Sequence, residues 1–266
     1  MMTKQSCRGI LWGMKFFGKV DDIMNPAMKK MIPLWALGLA LFVLRFVELR
    51  TGFDAATGLT LPTVARPALI GGTVLAALYA VAAVGKRSAE RPSFEEQFAA
   101  PGRWKIIPVL GSFLHIGGGL WLGIQSMTEE LVITQMITAA LAMVSGCGFL
   151  VLVKRMGDDE ADSVAPLLPG LLFSAFWVLS LYLPSGNDPV LARYWLPILA
   201  AAMQAYALAQ ISGFFRRETS PRSFRFMARI SVMLCIAAAA GPNMTLVPLF
   251  LGSALVTSTF LVLERD

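Results

Sequence analysis

One histidine, His115, occurs in the whole chain, inside an apolar stretch and beside Gly117, Gly118 and Gly119. An ionisable side chain at mid-depth in a membrane is by default a functional position, and imidazole is the group best suited to proton transfer near neutrality. A relay needs a second ionisable group, yet no Asp, Glu, Lys or Arg lies near mid-depth in any apolar stretch. Gln135, Gln204 and Gln210 are the neutral partners on offer. The plainer role for His115 is therefore an interhelical hydrogen bond. A lone histidine also excludes bis-histidine haem ligation within one chain.

A second group is charged. Arg45 and Glu48 are three residues apart, so they share a helix face, about two turns from the end of the first apolar stretch. Asp54, Arg66, Asp188 and Arg193 are expected at the same surface. These residues could form a polar mouth that selects a charged solute. Alternatively, they snorkel and pair with one another and with lipid headgroups. The candidate binding residues are thus Arg45, Glu48, Arg66, His115, Arg193 and Gln204, with no catalytic set among them.

No other motif carries chemistry. Cys7, Cys147 and Cys235 have no metal-ligand spacing. The chain has no His-Glu-x-x-His, no Gly-x-Ser-x-Gly, no Walker loop and no Gly-x-Gly-x-x-Gly. Glu95-Glu96 lies on a loop and lacks the closely following arginine of an intramembrane protease signature. The late apolar stretches contain no lysine to form a retinal Schiff base. Neither a cofactor nor a metal is expected.

The elements that must position these residues are apolar stretches of helical length. They run over Ile32–Leu49, Pro67–Val84, Ile106–Gln125, Leu131–Val153, Ala165–Leu183, Tyr194–Phe214, Phe226–Gly241 and Met244–Leu263. Of 266 residues, 56% are hydrophobic and 15% charged, against about 25% charged in soluble domains. Mean hydropathy is +0.64. Barrel strands alternate in polarity over about 10 residues, whereas these runs are continuous and near the roughly 20 residues of a spanning helix. The fold class is an all-α, polytopic helical membrane bundle of about eight helices. The seventh stretch is the weakest, being short and carrying Arg229 near its start.

Loop charge sets the expected orientation. Nineteen of the twenty-three Lys and Arg residues fall on one side, in the N-terminal tail, in the second, fourth and sixth loops, and at Arg265. That side is expected to be cytoplasmic, with both termini inside a bacterial-type plasma membrane. The net charge of +6 is then a topology signal, and no nucleic acid is expected as partner. Residues 1–30 are expected to form an amphipathic segment. Its polar stripe carries Arg8, Lys15, Lys19 and Asp22, opposite an apolar face of Trp12, Phe16, Val20 and Ile23.

The halves 31–160 and 161–266 resemble each other. Lys86-Arg87 with Ser93-Phe94 matches Arg216-Arg217 with Ser223-Phe224, and Ala65-Arg66 matches Ala192-Arg193. Pro33-Leu34 matches Pro166-Leu167, and Phe149–Leu152 matches Phe260–Leu263. Four spans per half imply a parallel repeat about an axis along the membrane normal. Convergent membrane composition is the alternative. Pro169-Gly170 is the expected break in a helix, since proline removes a backbone hydrogen bond.

A permease-like or solute-binding protein fits these features, with the lipid bilayer and a small solute as partners. The alternatives are an accessory subunit acting through a membrane-protein partner or a second copy, and a membrane-embedded enzyme using His115.

Overall fold

The computed structural model describes residues 26–54, 59–84, 91–99, 101–128, 133–156, 163–185, 193–241 and 243–265. Among them, eight long helices carry the chain: α1 (Pro26–Thr51), α2 (Ala65–Ala82), α3 (Ile106–Thr128), α4 (Ile133–Arg155), α5 (Leu168–Ser185), α6 (Trp195–Phe214), α7 (Pro221–Ala238) and α8 (Val247–Leu263). The only extended pairings among the described residues are two isolated bridges, Phe53 with Thr60 and Phe98 with Glu264. The chain is an all-α, multi-pass membrane bundle. Residues 1–25 of the expected amphipathic segment, Cys7 and Asp188 lie outside the described residues. From Pro26 the chain is already helical, so α1 starts before the apolar run at Ile32.

Four prolines start helices, whereas Pro33 lies inside α1. Pro108, Pro197, Pro169 and Pro248 all fall within the first three residues of their helices, where the backbone N–H has no intrahelical partner to lose. Short 3-10 turns lead into α3, α5 and α8. The break expected at Pro169-Gly170 is instead a helix start.

Seven of the eight helices are long and apolar enough to cross a membrane, and α7 is the exception. Arg222, Arg225 and Arg229 crowd its first half. Its second half is wholly internal, with every residue from Val232 to Ala238 buried. α7 packs against α1, α2, α6 and α8, so protein supplies the surroundings that lipid supplies to the other helices. α8 is the other central helix. In its span 72% of residues are buried, against 17% in that of α2 at the edge.

Close helix contacts follow from small residues, because lipid offers no hydrophobic drive for association and van der Waals contact must supply it. A Cβ added to Gly146 on α4 would sit 2.7 Å from the Ser112 carbonyl oxygen of α3. One added to Gly252 on α8 would sit 2.7 Å from His115 Nδ1 and 2.9 Å from the Gly111 oxygen.

The basic loops gather at one end of the bundle and are tied together there. Ser93 caps the one-turn helix Phe94–Gln97, and the Ser93 N–H donates to Glu96 Oε2 at 2.7 Å. That bond, with the Ser93 hydroxyl and the nearby Arg217, holds the Glu96 carboxyl below its usual range. The extended segment after it meets the end of α8: Ala99 N–H donates to the Leu263 carbonyl at 2.7 Å, and Arg265 N–H to that of Gln97 at 2.8 Å. The buried Glu264 carboxylate accepts from Arg225 Nε at 2.6 Å and from Gln97 Nε2 at 2.7 Å. Above it, Phe94, Phe98, Phe214, Phe215, Phe224 and Phe260 form one ring cluster with centroid separations from 4.3 to 6.4 Å. Each aromatic pair of this kind contributes about 0.5–1.5 kcal/mol beyond burial. This end is sealed.

Candidate functional site

At the opposite end a cavity of about 240 Å³ opens among α3, α4, α5, α6, α7 and α8. Leu122, Trp177 and Phe250 give it an apolar floor, and Gln135, Thr138, Ser180, Tyr194 and Asn243 give it polar walls. The floor is fixed by stacking. The Trp177 ring lies 4.4 Å from that of Phe250 and 5.1 Å from that of Phe173. Trp177 is fully buried, and its Nε1 has no hydrogen-bond partner. A shallower hollow of about 510 Å³ continues past Asn243 along Trp121 and Gln125.

The walls offer both hydrogen-bonding senses. Thr138 Oγ1 donates to the Thr134 carbonyl at 2.7 Å, and Ser180 Oγ to the Trp177 carbonyl at 2.9 Å. Their protons are spent within their own helices, so these hydroxyls have acceptor capacity left. Asn243 Oδ1 accepts from the Thr245 N–H and hydroxyl at 3.1 and 2.6 Å, which leaves its amide NH₂ as donor. Among the described residues, no Asp, Glu, Lys, Arg or His lines the cavity.

None of the six residues singled out from the sequence lines it. Four do gather, as expected, at the same end of the bundle. Arg45 Nη1 donates to Glu48 Oε2, and Arg45 Nη2 donates to the Arg193 carbonyl. Arg66 is close enough for its charge to act on Arg45. The Arg193 guanidinium lies 4.8 Å over the Phe53 ring. The chain after α1 folds back through the Phe53–Thr60 bridge, with Leu61 N–H donating to Gly52 O at 2.8 Å. Arg45 and Glu48 are 0% and 1% exposed. They form an enclosed ion pair that ties α1 to the start of α6.

His115 is sealed in the interior between α3 and α8. A carbonyl oxygen only accepts, so Nδ1–H donates to Gly111 O at 3.0 Å. Nε2 is then free to accept from Ser253 Oγ at 3.3 Å. A neutral ring satisfies both contacts. The Phe149 and Phe173 rings stand edge-on to it at 5.4 and 5.5 Å. Gln204 makes a separate knot. Its Oε1 accepts from Ser231 Oγ at 2.6 Å and Thr257 Oγ1 at 2.8 Å, joining α6, α7 and α8, while its Nε2 has no partner.

The lining residues escape a sequence reading for a physical reason. Thr138, Ser180, Tyr194 and Asn243 sit near helix ends, where polar side chains are ordinary. Nothing in their spacing says that six helices turn them toward one space. Gln135 stood out only as a possible partner for His115. No family model, no curated protein and no solved structure matches the chain.

Proposed function

We propose that the protein is a small permease-like carrier whose solute enters the cavity among α3–α8. The observation that carries this reading is the asymmetry between the ends of the bundle. One end holds an open cavity, and the other is closed by the phenylalanine cluster and the Arg225–Glu264–Gln97 knot. With the basic loops cytoplasmic, the cavity faces outward, as in one state of an alternating-access cycle. Both halves of the chain line it: Leu122, Gln135 and Thr138 from the first, Trp177 through Phe250 from the second. A site between two four-helix repeats requires that. The surroundings of His115 support an interhelical structural role over the enzyme alternative, and the cavity favours a carrier over a solid accessory subunit.

The test uses the seal. Phe98 and Glu264 face each other in an antiparallel bridge, a geometry that brings Cα atoms to about 4.5–5.5 Å, within disulfide reach. Thr138→Cys should react with an impermeant maleimide from outside. Ile211→Cys, buried near the basic end, should react from the cytoplasmic side during turnover between states. Oxidising Phe98→Cys/Glu264→Cys should abolish that second reaction and spare the first. Absence of any cytoplasmic labelling of Ile211→Cys, with Thr138→Cys labelled, would end the carrier reading.

A further inference from the structure

We propose that the perimeter between α2 and α7, at the basic end of the bundle, binds the phosphate of an anionic phospholipid. The site is separate from the cavity, which opens at the other end, and it does not rest on the carrier reading. Arg222, Arg225 and Arg229 are three and four residues apart on α7, so they form a ladder along one helix face. α2 borders that ladder. Arg225 Nη1 donates to the carbonyl of Val84, just past the end of α2, at 3.3 Å. Tyr79 of α2 is close enough to act electrostatically on Arg229.

The ladder carries more positive charge than its neighbours balance. The one carboxylate acting on Arg229 is Glu264, and that group already accepts from Arg225 and Gln97. Among the described residues Arg229 has no hydrogen-bond or ion-pair partner. Its Nη1 is enclosed, whereas the side chain as a whole is partly exposed and leaves Nε and Nη2 open to an acceptor from outside. Arg222 is exposed and has no ion-pair partner among the described residues. The adjoining sequence 85–90 brings Lys86 and Arg87 against the single Glu90, so it adds net positive charge. The acidic residues Asp158, Asp159, Glu160 and Asp162 follow α4, which packs on α3 and α5. A half-enclosed guanidinium without a counter-charge is costly, and an anion from outside relieves that cost. Depth selects the source. Arg229 lies eight residues into α7, about 12 Å along its axis, and one turn deeper than Arg225, which meets the end of α2. That depth is the border between headgroups and acyl chains, where arginines snorkel to phosphate. Leu75, one turn from Tyr79 on the same face of α2, is 65% exposed and gives an acyl chain an apolar wall. The guanidinium fork then matches phosphate oxygens with paired N–H donors.

The test adds dioleoylphosphatidylglycerol, dioleoylphosphatidylcholine or inorganic phosphate to the purified full-length protein in a neutral detergent, with the melting temperature as readout. The variants are Arg222→Gln, Arg229→Gln and the two combined. Arg155→Gln, at the end of α4, is the control for loss of a basic residue elsewhere. Phosphatidylglycerol at about ten times its dissociation constant should raise the melting temperature of the parent by about 3–6 °C. Phosphatidylcholine and inorganic phosphate should give less than a third of that. Each single variant should at least halve the phosphatidylglycerol shift, the double variant should abolish it, and Arg155→Gln should keep it. Arg222 is exposed, so Arg222→Gln makes the comparison even if Arg229→Gln does not fold. No shift in the parent, or a shift that survives intact in Arg222→Gln, would overturn the site. An equal shift with phosphatidylcholine would overturn the anionic class. Inorganic phosphate matching phosphatidylglycerol, with both effects lost in the variants, would overturn the lipid and leave a free anion as the ligand.

Discussion

Replacing Arg45 by methionine removes one half of an ion pair that has no access to water. Arg45 and Glu48 are 0% and 1% exposed, and Glu48 Oε1 already lacks a partner. Without the guanidinium the whole carboxylate is bare, and the Arg193 carbonyl loses the donor that links α6 to α1. Breaking a buried pair from one side costs about 3–5 kcal/mol, because the surviving charge is left uncompensated. At about 2–4 °C per kcal/mol for a chain of this size class, Arg45→Met should lower the melting temperature by about 6–20 °C. Glu48→Met should do likewise, since it strands the guanidinium. The double variant Arg45→Met/Glu48→Met removes both charges and leaves only the Arg193 carbonyl unmatched, a cost of about 1–3 kcal/mol. It should therefore melt above either single variant. Tryptophan fluorescence of the purified protein, scanned in detergent at fixed ionic strength, reads all four proteins. Two results would refute the reasoning: Arg45→Met melting within about 2 °C of the parent, or a double variant destabilised by the full sum of the singles.

Three further outcomes are expected. Gly252→Ala pushes a methyl into His115 Nδ1 and Gly111 O and should cost about 1–3 kcal/mol by overpacking, whereas the more open Gly71, with nothing within 4 Å, should tolerate alanine without loss of melting temperature. His115→Gln should cost only about 1 kcal/mol, because an amide can renew one interhelical hydrogen bond; loss of transport at unchanged stability would return His115 to the functional set. Single cysteines at positions 90 and 220 should be labelled from the cytoplasmic side and at 58 and 187 from outside; labelling of 220 from outside would sink the orientation.

How much of this was legible in the sequence depends on the range of the forces involved. Helix type and the multi-pass character follow from hydropathy, because the bilayer demands about 20 apolar residues and internally satisfied backbone from every crossing segment. The Arg45–Glu48 pairing is legible too, since three residues on a helix share a face whatever surrounds them. α7 shows the limit. Its arginines and short apolar run make it the weakest span, yet it is buried at the centre, because α1, α2, α6 and α8 enclose it and no lipid-facing surface has to be apolar. Pro169 shows a second limit: sequence marks the proline, but only the helix start at Leu168 decides whether a hydrogen bond is lost. Burial of Arg45 and Glu48 was likewise undecidable until the chain after α1 and the Arg193 carbonyl closed over them. The cavity was the least legible feature. Leu122, Thr138, Ser180, Asn243 and Phe250 come from four helices and a loop. They share no period or motif, and they meet only because small residues on α3, α4 and α8 let those helices approach closely and set where the bundle leaves space. The sequence by itself determined the solvent, the helices and the charge asymmetry of the ends; which helix lies inside, where the phenylalanine rings cluster and where a cavity opens were decided by packing.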